Sequence, residues 1–192
     1  MHLIVYGPEG SGKGTQAKLL SEHYRLPLWT SGDLVREAAQ RGKSKLDRAC
    51  QSALETGTYV SDEYIFTLWR KKLRENQAKS GYILDGFPRT LNQAKFLHKE
   101  ISSHGYSIDK ILYLKLSDEE SRKRLAKRRR KLFAGSTVFH DSKDRVNRRL
   151  MQYRKEEKKL LHFFRDKYKL LEVEADQSIE NLFETIIQKL NG

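Results

Sequence analysis

The sequence predicts a single α/β domain, in which helices flank a parallel sheet, and three observations support this fold class. Short apolar segments alternate with helix-compatible segments along the 192 residues, and such alternation is typical of a parallel sheet covered on both faces. Leu, Ile, Val and Phe make up a quarter of the chain, which is enough to bury a core. A glycine-rich turn joins the first apolar segment to the first helical one. We see no internal repeat and no low-complexity linker, and therefore expect one cooperative unit over residues 1–192.

The apolar segments define five predicted strands, which come in the order 2–6, 26–29, 82–84, 111–114 and 170–173. Helical spacing runs through residues 31–77, with breaks around Gly42 and at 55–58. Another helix is predicted to open at Ser117, because a glutamate three residues later completes a capping box. The remaining predicted helices cover residues 15–24, 144–168 and 178–190, while 132–142 has no period and predicts an exposed loop.

Composition excludes several classes of protein. No apolar run approaches the ~20 residues that a membrane span needs, so we predict no transmembrane helix. The first residues lack the charged start of a secretory signal and reach Gly7 before a long apolar stretch forms, so we expect a cytoplasmic protein. Cys50 is the single cysteine, which rules out an internal disulfide framework and a cysteine-based zinc site.

The net charge of +13 is concentrated in one segment. Residues 122–169 hold 19 basic and 5 acidic residues, whereas the rest of the chain is nearly balanced. Eight of the ten residues 122–131 are Lys or Arg, and such a run can bind nucleic-acid phosphates. It lacks the interleaved aromatic residues that stack on bases. Nucleic-acid binding through 122–131 is therefore a minor hypothesis beside a solvated charged face.

Residues 7–15, here called the phosphate loop, carry a glycine, four residues and then Gly-Lys. Glycine suits this pattern because backbone N–H groups must turn inward around phosphate oxygens, often at positive φ. The following helix directs its N-terminus at the same anion, and Lys13 can reach the outer phosphates. Gly14 stands where Ser or Thr usually follows the lysine, so magnesium would lack its usual hydroxyl ligand. Asp85, at a strand end, is the candidate to support the ion instead.

Four motifs follow one another along nearly the whole chain. They are Gly-Lys-Gly-Thr at 12–15, Thr-Ser-Gly-Asp-Leu-Val-Arg at 30–36, Asp-Gly-Phe-Pro-Arg-Thr at 85–90 and Arg-Leu-Ala-Lys-Arg at 124–128. With them the chain resembles the adenylate kinases of the nucleoside monophosphate kinase family, and the third motif is close to diagnostic by itself. The resemblance implies a P-loop NTPase-type fold with a five-stranded parallel sheet. It also implies a helical arm for the monophosphate at about 31–60 and a short lid without zinc at about 129–141.

The resemblance implies phosphoryl transfer from Mg-ATP to AMP, giving two ADP, by a monomer. The physical reading agrees with this activity, since the reaction must hold two polyanions together and neutralise charge on the transferred group, which is work for cations. Asp85 and Asp33 are predicted to orient magnesium through water, and no general base is assigned. The catalytic cations that the resemblance implies are Lys13, Arg89, Arg124, Arg128 and Arg149.

The resemblance also implies the binding residues for each nucleotide. ATP is assigned to the phosphate loop, two lid-side arginines and a backbone contact to the base: Gly10, Ser11, Gly12, Lys13, Gly14, Thr15, Arg124, Arg128 and Gln177. AMP is assigned to the arm, the third motif and one further arginine: Ser31, Arg36, Thr58, Tyr59, Val60, Gly86, Phe87, Pro88, Arg89, Gln93 and Arg149. The peptide bond before Pro88 is expected to be cis.

Ser31 and Gln93 favour AMP as the acceptor. In the family, a hydroxyl residue and a glutamine at these places accompany AMP, whereas pyrimidine relatives tend to carry alanine and asparagine. A side-chain amide can donate and accept at the edge of adenine. A UMP/CMP kinase is the alternative within enzymes.

Two departures from the family pattern matter. Glu9 replaces the usual proline of the phosphate loop, and its carboxylate is expected to weaken ATP binding unless it points to solvent. In the lid, the family's Arg-x-Asp-Asp falls on Val-Phe-His-Asp at 138–141, so an arginine is missing at Val138. A nucleotide-binding relative with impaired turnover, binding RNA through its basic segment, is therefore another alternative. The hypothetical replacements for the lost charge are Arg129, Arg130, Lys143 and Arg145.

Overall fold

The computed structural model describes residues 1–56, 58–128 and 141–192, and a five-stranded parallel sheet lies at its centre. The strand order is β2-β3-β1-β4-β5. This arrangement confirms the predicted fold class and puts the first strand, which leads into the phosphate loop, in the middle of the sheet. The strands are β1 His2–Tyr6, β2 Leu28–Thr30, β3 Tyr82–Asp85, β4 Lys110–Lys115 and β5 Lys169–Glu174.

Helices connect the strands and cover both faces of the sheet. The described α-helices are α1 Lys13–Tyr24, α2 Ser31–Arg41, α3 Lys45–Thr56, α4 Asp62–Leu73, α5 Leu91–Ser103, α6 Asp118–Arg128, α7 Lys143–Lys167 and α8 Ile179–Asn191. The predicted helical region 31–77 is divided as expected, since Gly42 ends α2 with a φ of 63°. A short 3₁₀ helix, Asn76–Ser80, precedes β3.

Helix α5 was not predicted from the sequence. Its start is marked by Thr90, whose hydroxyl oxygen accepts a hydrogen bond from the Gln93 N–H at 3.2 Å. Ala94, Leu97 and Ile101 are buried on one side of this helix. The Thr-x-x-Gln spacing and this apolar period are the signals that predict α5.

Alternate side chains of β1 enter two different cores. Leu3 and Val5 belong to an apolar cluster with α1 and α8, whereas Ile4 and Tyr6 belong to the larger cluster formed with α2, α4, α5 and α7. All five residues of β1 are buried. A strand buried on both faces needs a continuous apolar sequence, which explains why β1 could be predicted without an alternating pattern.

The carboxyl ends of the parallel strands meet at one edge of the sheet. Val5 is opposite Asp85 in the register of β1 and β3, and Thr30 is opposite Asp85 in the register of β2 and β3. The phosphate loop, the start of α2 and the turn after β3 therefore open onto the same edge. In open α/β sheets this edge is where ligands bind.

Candidate active site

The phosphate loop has the backbone geometry of an anion site. Gly10 and Gly12 have φ values of 89° and 82°, a conformation that side chains disfavour. The Ser11 N–H donates to the Pro8 carbonyl at 3.2 Å and closes the turn. The Lys13 ammonium donates to the same carbonyl at 3.1 Å, at the first position of α1. The loop thus presents amide groups, a helix N-terminus and a lysine to one point.

Lys13 is a half-buried cation. Burial lowers the pKa of its ammonium group, while the neighbouring carboxylates of Asp85 and Glu9 act in the opposite direction. Because the surroundings are poorly solvated, its attraction for a phosphate oxygen is screened less than in water.

The two predicted magnesium residues differ in the hydrogen bonds that they already make, and a water-mediated contact of either with the ion stays a prediction. Asp85 Oδ1 is buried and has no hydrogen-bond partner within the described part of the chain, so it remains available to a hydrated cation. Both oxygens of Asp33 are engaged, since Oδ2 accepts from the Thr30 hydroxyl at 2.7 Å and Oδ1 from Arg36 at 2.6 Å. Residues 1–56, 58–128 and 141–192 contain no cluster of three or more His, Cys, Asp or Glu able to hold a metal. A magnesium ion here would therefore depend largely on nucleotide phosphates and water.

A cleft of about 1130 Å³ brings most of the predicted site residues together. It lies between the phosphate loop, the arm and the facing parts of α6 and α7. The predicted residues that line it are Gly10, Gly12, Lys13, Gly14, Thr15, Ser31, Asp33, Arg36, Thr58, Tyr59, Val60, Asp85, Gly86, Arg89, Gln93, Arg124, Arg128 and Arg149.

Four predicted residues do not line this cleft. Phe87 and Pro88 line a smaller neighbouring cavity of about 70 Å³, and the peptide bond between them is cis, as expected. Ser11 is fully buried, so its side chain is not available to a ligand. Gln177 is exposed after β5, where its amide donates to the Glu174 carbonyl at 2.7 Å. Backbone contacts from Ser11 and Gln177 to ATP stay predictions.

Ser31 ties the arm to the turn after β3. Its hydroxyl donates to the Gly86 carbonyl at 2.9 Å and accepts from the Trp69 indole N–H at 3.4 Å. Ser31 is 7% exposed. The hydroxyl therefore positions Gly86, and a direct contact with AMP stays a prediction.

The Gln93 amide is held in one orientation by two hydrogen bonds. Its oxygen accepts from the Arg89 backbone N–H at 2.8 Å, and its NH₂ group donates to Asp62 Oδ1 at 2.7 Å. Asn92 donates to the other oxygen of Asp62 at 2.7 Å. An amide has two protons and two lone pairs, so one of each remains for a ligand. Sequence reasoning missed Asp62, which lies at the start of α4, 31 positions from Gln93.

Arg89 connects the turn after β3 with the arm. Its Nε donates to the Gly86 carbonyl at 2.8 Å. Its guanidinium group lies 4.4 Å from the centre of the Tyr59 ring, a distance at which a cation is attracted to an aromatic face.

Arg124 anchors α6 to the segment between β5 and α8. It donates to Glu120 at 2.9 Å, to the Ala175 carbonyl at 3.0 Å and to Asp176 at 2.9 Å. Asp176 is 76% exposed, so this ion pair is readily solvated.

Asp141 and Glu9 form ion pairs with Arg128 and Arg149. Arg128 donates twice to Asp141, with both distances 2.8 Å, and the Asp141 side chain is fully buried. Arg149 Nη2 lies 3.4 Å from Asp141 Oδ1, and Nη1 lies 2.9 Å from Glu9 Oε2. Glu9 thus faces the cleft and not bulk solvent, which is the condition under which it was expected to weaken ATP binding. Asp141 is the carboxylate of the family's lid pattern that this sequence retains.

Most of the predicted lid lies outside the described residues, including Val138, Arg129 and Arg130. Of the other hypothetical replacements for the missing arginine, Lys143 and Arg145 belong to the first turn of α7 and are not among the residues that line the cleft. Their role stays a prediction.

Part of the basic segment is used within the fold. Arg154 Nε donates to Asp118 at 2.8 Å, and its Nη1 donates to both oxygens of Glu157 at 2.8 and 2.7 Å. These pairs, with those of Arg124 and Arg128, account for some of the local surplus of charge.

Within the described ranges, no helix has the length and apolar character to cross a bilayer.

Comparison with known proteins identifies close sequence relatives over the full length. Residues 5–169 match the family described as Adenylate kinase. The chain is 36% identical over 180 residues to adenylate kinase 1 of Nostoc sp., covering 94% of this chain and 93% of the relative. It is 36% identical over 192 residues to the adenylate kinase of Phenylobacterium zucineum, covering 100% and 98%. It is 31% identical over 219 residues to that of Archaeoglobus fulgidus, covering 100% of both chains.

Proposed function

We propose roles for the site residues on the following premise: this chain belongs to the adenylate kinase family and is an ATP:AMP phosphotransferase. The reaction moves the γ-phosphoryl group of ATP to AMP and gives two ADP. The comparisons do not favour the alternatives, a UMP/CMP kinase or an RNA-binding relative with impaired turnover. The observation that carries our assignment of roles is the meeting of Lys13, Arg89 and Arg149 along one cleft.

The phosphate loop and the lid-side arginines hold ATP in this proposal. The loop amides and Lys13 bind the β- and γ-phosphates, and Arg124 and Arg128 approach the triphosphate from α6. Phosphoryl transfer spreads negative charge over the transferred group, so fixed cations in a poorly solvated site stabilise its transition state. Asp85 would hold a magnesium ion through water, and the bound ion would neutralise further charge on the phosphates.

The arm and the turn after β3 hold AMP. Arg36 and Arg89 grip the monophosphate, the backbone of 58–60 contacts the base, and the free proton and lone pair of the Gln93 amide bind the adenine edge. The attacking oxygen of AMP is already ionised at neutral pH. No side chain is therefore needed as a general base.

Closure of the arm and the lid excludes water from the transferred group. The contacts of Arg89 with Tyr59 and of Ser31 with Gly86 support this role for the arm, because they couple it to the turn that carries the monophosphate site. A cytoplasmic location, a monomeric state, the boundaries of the arm and lid, and the absence of zinc are further parts of the proposal.

The test is to incubate the protein with Mg-ATP and, separately, with AMP, UMP, CMP or GMP, and to quantify the diphosphates formed. ADP is expected with AMP, and the product should disappear when EDTA removes magnesium. Turnover only with a pyrimidine monophosphate would move the acceptor to the alternative and contradict the role of Gln93. A lack of turnover with every acceptor would contradict the proposed roles altogether.

A further inference from the structure

The carboxylate of Glu9 lies among the cations that the proposal assigns to phosphoryl groups. Glu9 Oε2 is 2.9 Å from Arg149 Nη1, and the two side chains are 23% and 8% exposed. Glu9 lines the main cleft together with Lys13 and Arg89. An ion pair with this little exposure is poorly screened by solvent.

Glu9 also contacts the arm. The Tyr59 hydroxyl donates to Glu9 Oε1 at 3.4 Å, and the ring of Tyr59 lies against the Arg89 guanidinium. One carboxylate of the phosphate loop therefore contacts both α7 and the arm. These contacts join the parts of the site assigned to ATP, to AMP and to the transferred group.

A carboxylate and a phosphoryl group make the same kind of contact with an arginine, because both are anions that accept charge-assisted hydrogen bonds from its N–H groups. A phosphoryl oxygen that approaches Arg149 Nη1 from the side of the phosphate loop meets Glu9 Oε2, which already lies 2.9 Å from that nitrogen, and has to displace it. We propose that Glu9 is an internal competitor for phosphoryl groups at Arg149, which holds the guanidinium over the phosphate loop and yields it to the nucleotide. This inference rests on the proposed function, in which Arg149 is one of the cations that bind the transferred phosphoryl group.

The competition sets the balance between binding and release. A bound polyphosphate must displace Glu9 and tolerate its negative charge, so affinity is lower than the cations alone would give. On release, Glu9 returns to Arg149 and replaces the departing anion. Glu9 is a positioning residue in this account, since it acts through Arg149 and takes no part in the transfer itself.

The experiment compares the wild-type protein with Glu9→Gln, which keeps the shape of the side chain and removes its charge. Calorimetry with inorganic tripolyphosphate should show a dissociation constant lower by about tenfold in the variant. The KM for ATP should fall in the same direction while kcat stays within about twofold, the pattern of a change in uniform binding. A damaged loop would instead raise KM and lower kcat.

Glu22→Gln is the matched control. Glu22 is 63% exposed on α1 and lies 3.9 Å from Lys18, so its loss changes the net charge equally but removes no contact with the cleft. Its dissociation constant for tripolyphosphate should equal that of the wild type.

Glu9→Asp separates competition from general repulsion. This variant keeps the charge but shortens the reach to Arg149 by one methylene, so competition predicts tighter binding, whereas repulsion alone predicts no change. Unchanged affinity in either Glu9 variant, or weaker binding in either, would overturn the inference. Turnover of ATP and AMP by the wild type is measured in parallel. If the wild type shows no turnover while the Glu9 variants still bind tripolyphosphate more tightly, the proposed function is contradicted and this inference holds.

Discussion

The AMP side and the ATP side of the cleft are held together by different interactions. On the AMP side, Ser31 and Arg89 both donate to the Gly86 carbonyl, and Gln93 is fixed by a backbone N–H. On the ATP side, Arg124 and Arg128 are paired with carboxylates. The backbone groups on the AMP side are uncharged parts of the turn after β3, whereas a carboxylate on an arginine is an anion that another anion such as phosphate can replace. With the roles proposed above, the comparison teaches that AMP would meet a preformed pocket, whereas ATP would have to replace existing ion pairs.

Arg36 is an instructive exception on the AMP side. It pairs with Asp33 at 2.6 Å, but both side chains are more than half exposed. An exposed pair of this kind contributes little free energy and is exchanged easily. The difference between the two sides therefore depends on burial as much as on charge.

The largest expected effect comes from Lys13→Ala, which removes the lysine of the phosphate loop. Turnover should fall by about 10³-fold or more because a half-buried cation at the transferred group is lost. The melting temperature should stay close to that of the wild type. Lys18→Ala, an exposed change on the same helix, is the control and should keep full activity. A Lys13→Ala variant with a tenth of wild-type turnover would contradict the assigned role.

Asp141→Asn tests whether buried ion pairs hold the ATP side. The change leaves Arg128 and Arg149 beside a neutral amide. We expect the free energy of unfolding to fall by about 2 kcal/mol. This loss is smaller than that for a fully buried pair because Arg128 is 40% exposed. Turnover should fall by about tenfold as the arginines lose their orientation. Chemical denaturation and steady-state kinetics measure the two effects.

Asp176→Asn is the matched variant for Asp141→Asn, since Asp176 is the exposed partner of Arg124. Its effect on the free energy of unfolding should be within about 0.5 kcal/mol. Equal losses in the two variants would break the distinction between buried and exposed pairs that the comparison rests on.

Gln93→Ala tests the preformed pocket on the AMP side. The variant loses the amide proton and lone pair assigned to adenine and also frees Asp62, so kcat/KM for AMP should fall by about tenfold or more. The kcat/KM for UMP should change less, so the ratio of kcat/KM for AMP to that for UMP should fall. A parallel assay with both acceptors measures the ratio, and an unchanged ratio would show that Gln93 does not read the base.

The smallest expected effect concerns Tyr6, which lines the smaller cavity between the two sides. Burial raises the pKa of the Tyr6 phenol well above its ordinary value of 10. Above pH 10 the unfolded chain loses this proton while the folded chain keeps it, so stability falls as the pH rises.

When the pH rises from 9 to 11, the free energy of unfolding should fall in both proteins. The fall should be smaller in Tyr6→Phe than in the wild type by about 1 kcal/mol. Urea denaturation at the two pH values measures this difference. Equal losses in both proteins would show that Tyr6 ionises in the folded state. The phenols of Tyr82 and Tyr168, whose pKa values burial also raises and whose shifts do not involve Tyr6, remain in both proteins and serve as the common background.

Prediction from the sequence succeeded where one local pattern determines one local structure. Local backbone conformation follows directly from three such patterns: the apolar run of β1, the glycines at 10 and 12, and the break at Gly42. Helix α5 was not predicted although Thr90 and Gln93 mark its start. Thr90 belongs to the third motif and Gln93 was assigned to adenine, so both residues were interpreted as part of a ligand site. The predicted metal ligands were treated alike, but the structure separates them, since Asp33 is engaged by its neighbours and Asp85 Oδ1 has no partner in the described residues.

By itself, the sequence determined the fold class, the phosphate loop and the family, because these depend on spacings within short segments. Only the tertiary structure decided what each charged side chain faces. Glu9 and Arg149 are 140 positions apart along the chain, and their pairing follows from the placement of the phosphate loop against α7. A distance of 2.9 Å between two such groups depends on the packing of whole elements, and no local pattern in the sequence encodes it.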